Sequence, residues 1–165
     1  GPSMIIGVYP GSFDPFTVGH MDVLRRAARI LDKVLVAVLV NGQKTPAFTV
    51  EERKGFIDCA IRQLGLTNVE AASFDGLLAD YVPRAGARCI VRGLRAVTDF
   101  EYEFTIDAMN RRLAPDVETF YVMANPEHCF LSSGIVREVA SYGGSIAGLV
   151  PREAESIIAE RLLQR

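Results

Sequence analysis

The sequence predicts an α/β fold in which a five-stranded parallel sheet carries helices on both faces. Three observations carry that expectation. Short apolar runs alternate along the chain with longer stretches of helical period. The run Lys33 to Val40, K-V-L-V-A-V-L-V, has no polar break after its first residue, as a strand buried on both faces requires. Turn residues such as Asn41-Gly42 separate strand from helix. A βαβαβ rhythm of this kind dictates parallel strands with right-handed crossovers. The expected architecture is Rossmann-like and doubly wound, with strand order 3-2-1-4-5 and a switch point between strands one and four.

The elements follow in order. Met4 to Val8 reads as a buried first strand, and Met21, Leu24, Ala27, Ala28 and Leu31 mark the apolar stripe of the helix after it. Lys33 to Val40 is strand two. Thr49-x-x-Glu52 forms a capping box for a helix with apolar positions Phe56, Ile57, Ala60, Ile61 and Leu64. Val69 to Phe74 is strand three, and Gly76 to Ala85 a short helix that Pro83 must end or kink. Ala87 to Val91 is strand four. Thr98-x-x-Glu101 reads as a second capping box, for a helix running to about Leu113. Val117 to Met123 is strand five. Ser132 or Ser133 caps a helix through Tyr142, and Pro151 suits the first position of a terminal helix.

Composition narrows the function. The 165 residues are 49% hydrophobic, enough for the core of one domain, taken as residues 4–165. Gly1-Pro2-Ser3 before Met4 reads as a tag-cleavage remnant. Lys plus Arg is 18 against 20 for Asp plus Glu, so no overall basic field invites nucleic acid and any phosphate-handling cations must be clustered. Cys59, Cys89 and Cys129 contain no C-x-x-C, and with only His20 and His128 beside them no zinc or histidine-rich metal centre is expected. Free thiols point to a reducing cytoplasm. No apolar run approaches the roughly 18 residues of a membrane span, and no signal peptide is read.

The residues that the fold does not explain share one location. Ser12 and His20 follow strand one, and Lys44 follows strand two. Asp75 to Leu78 follow strand three, Arg92-Gly93-Leu94-Arg95 strand four, and Ser132-Ser133 strand five. All converge on the carboxyl edge of the sheet, where ligands bind in open α/β folds.

Around strand one the sequence is Y-P-G-S-F-D-P-F-T-V-G-H, neither a P-loop nor G-x-G-x-x-G. In the first turn of a helix the dipole disfavours an imidazolium, so His20 is expected neutral near pH 7. A neutral ring can still donate one hydrogen bond to a phosphate oxygen. Gly93 allows close backbone approach between the guanidinium forks of Arg92 and Arg95, which suits two phosphate groups. Lys44 is informative only if the fold brings it over the same site. Glu101 is explained by capping; Glu103 is not, and could hold a ribose hydroxyl or favour the helix N-terminus. Ser132-Ser133-Gly134 could be plain capping or an anion site, and His128 reads as a loop residue near a nucleotide.

Thr17-Val18-Gly19-His20 resembles the (H/T)-x-G-H signature of the nucleotidyltransferase superfamily. Further motifs follow in order: N-G-Q-K-T-P-x-F-T-x-E-E-R, R-G-L-R-A-V-T-D-F-E-Y-E, M-N-R-R-L-A-P and L-S-S-G-I-V-R-E-V-A. Together they resemble the bacterial phosphopantetheine adenylyltransferases over nearly the whole chain. The resemblance implies adenylyl transfer from ATP to 4′-phosphopantetheine, giving dephospho-coenzyme A and pyrophosphate. It implies that His20 stabilises the transition state, that Lys44 and Arg92 hold the attacking phosphate, and that Leu78 lines the pantetheine channel. It implies that Ser12 touches both substrates, and that ATP meets Phe13, His20, Gly93, Leu94, Arg95, Glu103, His128, Cys129, Phe130, Leu131, Ser132, Ser133 and Gly134. It implies Mg²⁺, a homohexamer and feedback inhibition by coenzyme A. One departure stands out: the family usually carries three hydroxyl residues where this chain has Ser132-Ser133-Gly134. A related cytidylyl- or nicotinate-mononucleotide adenylyltransferase would share Ser12 and His20 with a different acceptor pocket, and a nucleotide-binding sensor would share only the fold.

Overall fold

The computed structural model describes residues 4–40 and 45–163. Strands β1 (Ile6–Gly11) and β2 (Lys33–Leu39) lie side by side in parallel, paired from Ile6 with Lys33 to Gly11 with Val38. In β2 the period of two sends Val34, Val36 and Val38 into one core and Leu35 and Ala37 into the other, so the unbroken apolar run is a strand covered on both faces. The remaining elements are α1 (Val18–Ala28), α2 (Val50–Leu64), β3 (Val69–Phe74), α3 (Leu78–Arg84), β4 (Cys89–Leu94), α4 (Val97–Leu113), β5 (Glu118–Met123), α5 (Ser133–Ser141) and α6 (Glu155–Leu162). The sheet order is β3-β2-β1-β4-β5, all parallel, as the sequence predicts.

The larger core packs α1, α2, α5 and α6 on one face around Phe16, Leu24, Phe48, Ile57, Val136 and Ile158. On the other face Val8, Phe74, Val82, Ile90 and Val117 meet beneath α3. Burying one such side chain contributes roughly 1.5–3 kcal/mol, so both faces of the sheet contribute to holding its strands in place.

Several boundaries differ from the sequence expectation, and each difference bears on the site. β1 runs on to Gly11 because Tyr9, Pro10 and Gly11 keep pairing with Val36, Ala37 and Val38 of β2. On its other side β1 pairs with β4 only at Gly7 and Val8. Pro10, which has no N–H, is tolerated in this central strand because the ladder to β4 has already ended there. The sheet therefore opens between β1 and β4 at the switch point.

β4 begins at Cys89 and includes Arg92, Gly93 and Leu94, which pair with Tyr121, Val122 and Met123 of β5. A Cβ on Gly93 would lie 3.1 Å from Cγ2 of Val23, so the glycine lets α1 approach the strand. α4 starts at Val97 with Ala96 as its cap, placing Thr98 inside the first turn and not at the capping position expected of it. Pro151 precedes a short 3₁₀ turn, residues 152–154, and α6 starts only after it. The capping box at Thr49 and Glu52 is formed as expected. No helix among the described residues is long and apolar enough to cross a membrane.

Candidate active site

A cleft of about 340 Å³ opens at the carboxyl ends of β1 and β4. Of the residues expected at a site, it brings together Ser12, Phe13, His20, Arg92, Gly93, Arg95, Glu103, His128, Leu131, Ser132 and Ser133. Lys44 lies outside the described residues. Leu78 does not line this cleft: it opens α3 after the outer strand β3, two strands from β1, and packs against the core on that face. Leu94 is buried and does not line the cleft, and Cys129 and Phe130 are exposed. Gly134 also lies off the cleft wall.

The loop between β1 and α1 is fixed from two sides. Asp14 is buried, and its carboxylate accepts the backbone N–H groups of Ala47 at 2.8 Å and Phe48 at 2.9 Å. Arg53 of α2 donates from Nη1 to the Ser12 carbonyl at 2.8 Å. From the opposite side Arg137 of α5 donates to the Asp14 carbonyl at 2.7 Å, and the Ser133 hydroxyl donates to the Pro15 carbonyl at 2.7 Å. Hydrogen bonds to charged groups contribute roughly 1.5–3 kcal/mol each, enough to hold Phe13 at φ 48, a left-handed backbone that bulky residues avoid.

His20 occupies the third position of α1, where its ring completes a capping box normally closed by Glu or Gln. Nδ1 accepts the Thr17 N–H at 3.0 Å, while the Thr17 hydroxyl accepts the His20 N–H. A ring nitrogen that accepts an N–H carries no proton, so the neutral ring must be protonated at Nε2, on the side left for the cleft. Phe13 and Phe16 pack on the ring at centroid distances of 5.0 and 5.2 Å. That burial, and secondarily the charge of Arg95, push the imidazole down to about 4. The expectation of a neutral donor therefore stands on burial more than on the helix dipole.

The two arginines are not free forks. Arg92 donates from Nε and Nη2 to the carboxylate of Glu103, the shortest contact being 2.6 Å. Arg95 is held through Nε and its own backbone N–H by Asp99, and Nη1 reaches the Leu131 carbonyl at 2.9 Å. Two carboxylates one helical turn apart on α4 thus aim two cations into one cleft. Ser132 is the cap of α5, its hydroxyl accepting the Ile135 N–H, and the Ser133 hydroxyl donates to the Pro15 carbonyl, so capping accounts for the first serine and loop anchoring for the second. Gly134 has helical backbone, and a Cβ there would meet only Ser132 Oγ at 3.7 Å and Arg137 Nη2 at 3.8 Å.

His128 presents a shielded Nδ1 with no partner among the described residues. Tyr9, Asp99 and Asn125 also line the cleft and escaped the sequence reading. Burial pushes the Tyr9 phenol well above its ordinary range and keeps it neutral. For two of the three an element boundary hid the signal. Tyr9 lies in the part of β1 beyond its expected end at Val8, and Asp99 lies in the first turn of α4, which starts one residue before the expected cap. Asn125 follows β5, whose end at Met123 is as expected, and only its place at the carboxyl edge marks it.

Among the described residues no group of three His, Cys, Asp or Glu could hold a metal. The two carboxylates that line the cleft, Asp99 and Glu103, are engaged by Arg95 and Arg92, so a Mg²⁺ ion here would have to be held mainly by substrate phosphates and water, as that ion prefers.

Residues 8–139 match the model of the cytidylyltransferase-like family. Phosphopantetheine adenylyltransferase of Lachnoclostridium phytofermentans is 46% identical over 158 residues, covering 96% of either chain. The protein of that name from Heliobacterium modesticaldum is 49% identical over 158 residues, 96% of this chain and 93% of the relative. A solved structure from Vibrio parahaemolyticus, provisionally described as a nicotinate-nucleotide adenylyltransferase, superposes with a TM-score of 0.72 over 97% of this chain and 95% of that one. At 19% identity it shares the fold alone. With sheet order, cleft and near full-length likeness in agreement, the chain belongs to the cytidylyltransferase-like family and, within it, to the phosphopantetheine adenylyltransferases.

Proposed function

We propose that the chain transfers the adenylyl group of ATP to 4′-phosphopantetheine, forming dephospho-coenzyme A and pyrophosphate, as a step of coenzyme A synthesis. The observation that carries this reading is His20: a half-buried, neutral ring whose Nδ1 is engaged and whose Nε2–H is left for the cleft. Such a donor needs no reorganisation when charge grows on the α-phosphate.

In the reaction an oxygen of the acceptor phosphate forms a bond to the α-phosphorus of ATP. The bond from that phosphorus to the bridging oxygen breaks, and pyrophosphate leaves with the electron pair. A phosphate monoester with a second pKa near ~6 is already largely dianionic at pH 7, so the step asks for no general base. It asks for two mutually repelling anions to be aligned and neutralised. Arg92 and Lys44 are given to the acceptor phosphate, and Arg95, Glu103 and the cleft-lining residues His128, Leu131, Ser132 and Ser133 to ATP. Mg²⁺ bound to the triphosphate would add charge neutralisation there.

The reading extends to a cytoplasmic homohexamer inhibited by coenzyme A. Support for assembly comes from Phe100, Tyr102, Phe104 and Met109 on α4 and Phe120 and Met123 on β5, all exposed in the single chain. Pyrophosphate release measured with ATP, Mg²⁺ and a panel of acceptors tests the assignment. 4′-Phosphopantetheine should turn over fastest; faster turnover of nicotinate mononucleotide or glycerol phosphate would overturn the substrate.

A further inference from the structure

The peptide joining Ser12 to Phe13 leads into the one non-glycine residue with positive φ among the described residues. Phe13 has φ 48, and such a backbone persists in a bulky residue only where surrounding contacts over-determine it. One of those contacts is unusual. Arg53 is 2% exposed and donates from Nε to the Thr49 carbonyl at 3.3 Å and from Nη1 to the Ser12 carbonyl at 2.8 Å. Among the described residues no carboxylate forms an ion pair with it. Buried arginines are ordinarily paired, because an uncompensated charge inside a fold is costly. Structural support of a helix start could have come from a neutral side chain at lower cost.

Peptide geometry shows what Arg53 does. The Ser12–Phe13 bond is trans, and in a trans peptide the carbonyl and the following N–H point in opposite directions. With the Ser12 carbonyl drawn towards α2, the Phe13 N–H is turned away from α2. It finds no acceptor among the described residues, and Ser12 and Phe13 both line the cleft.

We propose that Arg53 is a positioning residue for phosphate binding. It turns the Ser12–Phe13 peptide so that the Phe13 N–H donates to a phosphate oxygen, and it leaves a buried positive charge behind the loop that a bound anion compensates. The inference rests on the reading that this cleft receives ATP. Arg53 itself touches no substrate.

Pyrophosphate and ATP are the probes. In the ¹⁵N-labelled wild-type protein, the Phe13 amide resonance should move on saturation with pyrophosphate; an unmoved Phe13 amide overturns the proposal. In Arg53→Gln, which keeps a side-chain donor but not the charge, the pyrophosphate Kd and the KM for ATP should both rise about 10–100-fold, the loss of one charge-assisted bond. Arg53→Lys, which keeps the charge, should recover part of that loss; a purely structural anchor predicts no such recovery. A folded Arg53→Gln protein that binds pyrophosphate within twofold of wild type overturns the proposal. Where neither variant folds, the wild-type amide titration decides. Wild-type protein that binds pyrophosphate but transfers no adenylyl group to 4′-phosphopantetheine would sink the proposed function and leave this inference standing.

Discussion

His20 is useful because it stays uncharged. On the proposed mechanism, removing it deprives the α-phosphate of a preorganised donor, so His20→Ala should lower kcat by about 10²–10³ with smaller changes in either KM. The two amide substitutions separate the ring nitrogens. His20→Gln places an N–H₂ near the position of Nε2 and should retain more turnover than His20→Asn, which mimics Nδ1; the reverse order would contradict the tautomer. Proton linkage gives a second expectation. The native ring titrates near 4 and an unfolded one near 6.5, so at pH 7 neither state binds the proton and His20 costs nothing. Between 6.5 and 4 only the unfolded state is protonated, and stability falls by on the order of 3 kcal/mol before levelling below pH 4. Urea titrations across that range should show the gap between wild type and His20→Gln narrowing by this amount. The capping box that fixes the ring was not legible in the sequence, because Thr-x-x-His does not match the Thr-x-x-Glu pattern that revealed Thr49 and Glu52.

At the scale of elements, α4 works through pairs. Arg92 and Glu103 share a part-buried ion pair, so the separate roles expected for them in acceptor and ATP binding are coupled. Single alanine variants and the double variant should show an interaction energy of about 1.5–3 kcal/mol in kcat/KM for ATP; strict additivity would mean that the pair parts before the rate-limiting step. α5 offers a gain. Gly134 is helical, and a Cβ there would make only ordinary contacts, with Ser132 Oγ at 3.7 Å and Arg137 Nη2 at 3.8 Å. Because it stands in the first turn, Gly134→Ala should raise stability by up to the roughly 0.8–1.0 kcal/mol that separates the two residues in a helix interior, read from the urea midpoint. Strand order was legible because buried parallel strands write themselves as apolar runs such as that of β2. The ends of β1 and β4 were not, since pairing there depends on which neighbouring strand continues, a tertiary fact. For the same reason the loop's supports escaped notice: Arg53 and Arg137 meet it across 41 and 123 residues of sequence, and nothing local to either residue marks a partner so distant.

At the scale of the whole molecule, the apolar side chains of α4 and β5 turn outward behind the same helix whose carboxylates hold Arg92 and Arg95. Phe104→Asp places a charge on a ring 66% exposed in the single chain. Light scattering should show a lower mass than wild type, with reduced thermal stability; an unchanged mass would remove this face from assembly. The loop after β1 has a different consequence, one of timing. It is tied on one side to residues 47–53 and on the other to Ser133 and Arg137. During synthesis at about 5–20 residues per second, the first three strands can pair long before α5 exists. A nascent chain can therefore hold three paired strands while the loop after β1 still lacks the two supports that Ser133 and Arg137 supply, and the cleft beside that loop is complete only once α5 has been made.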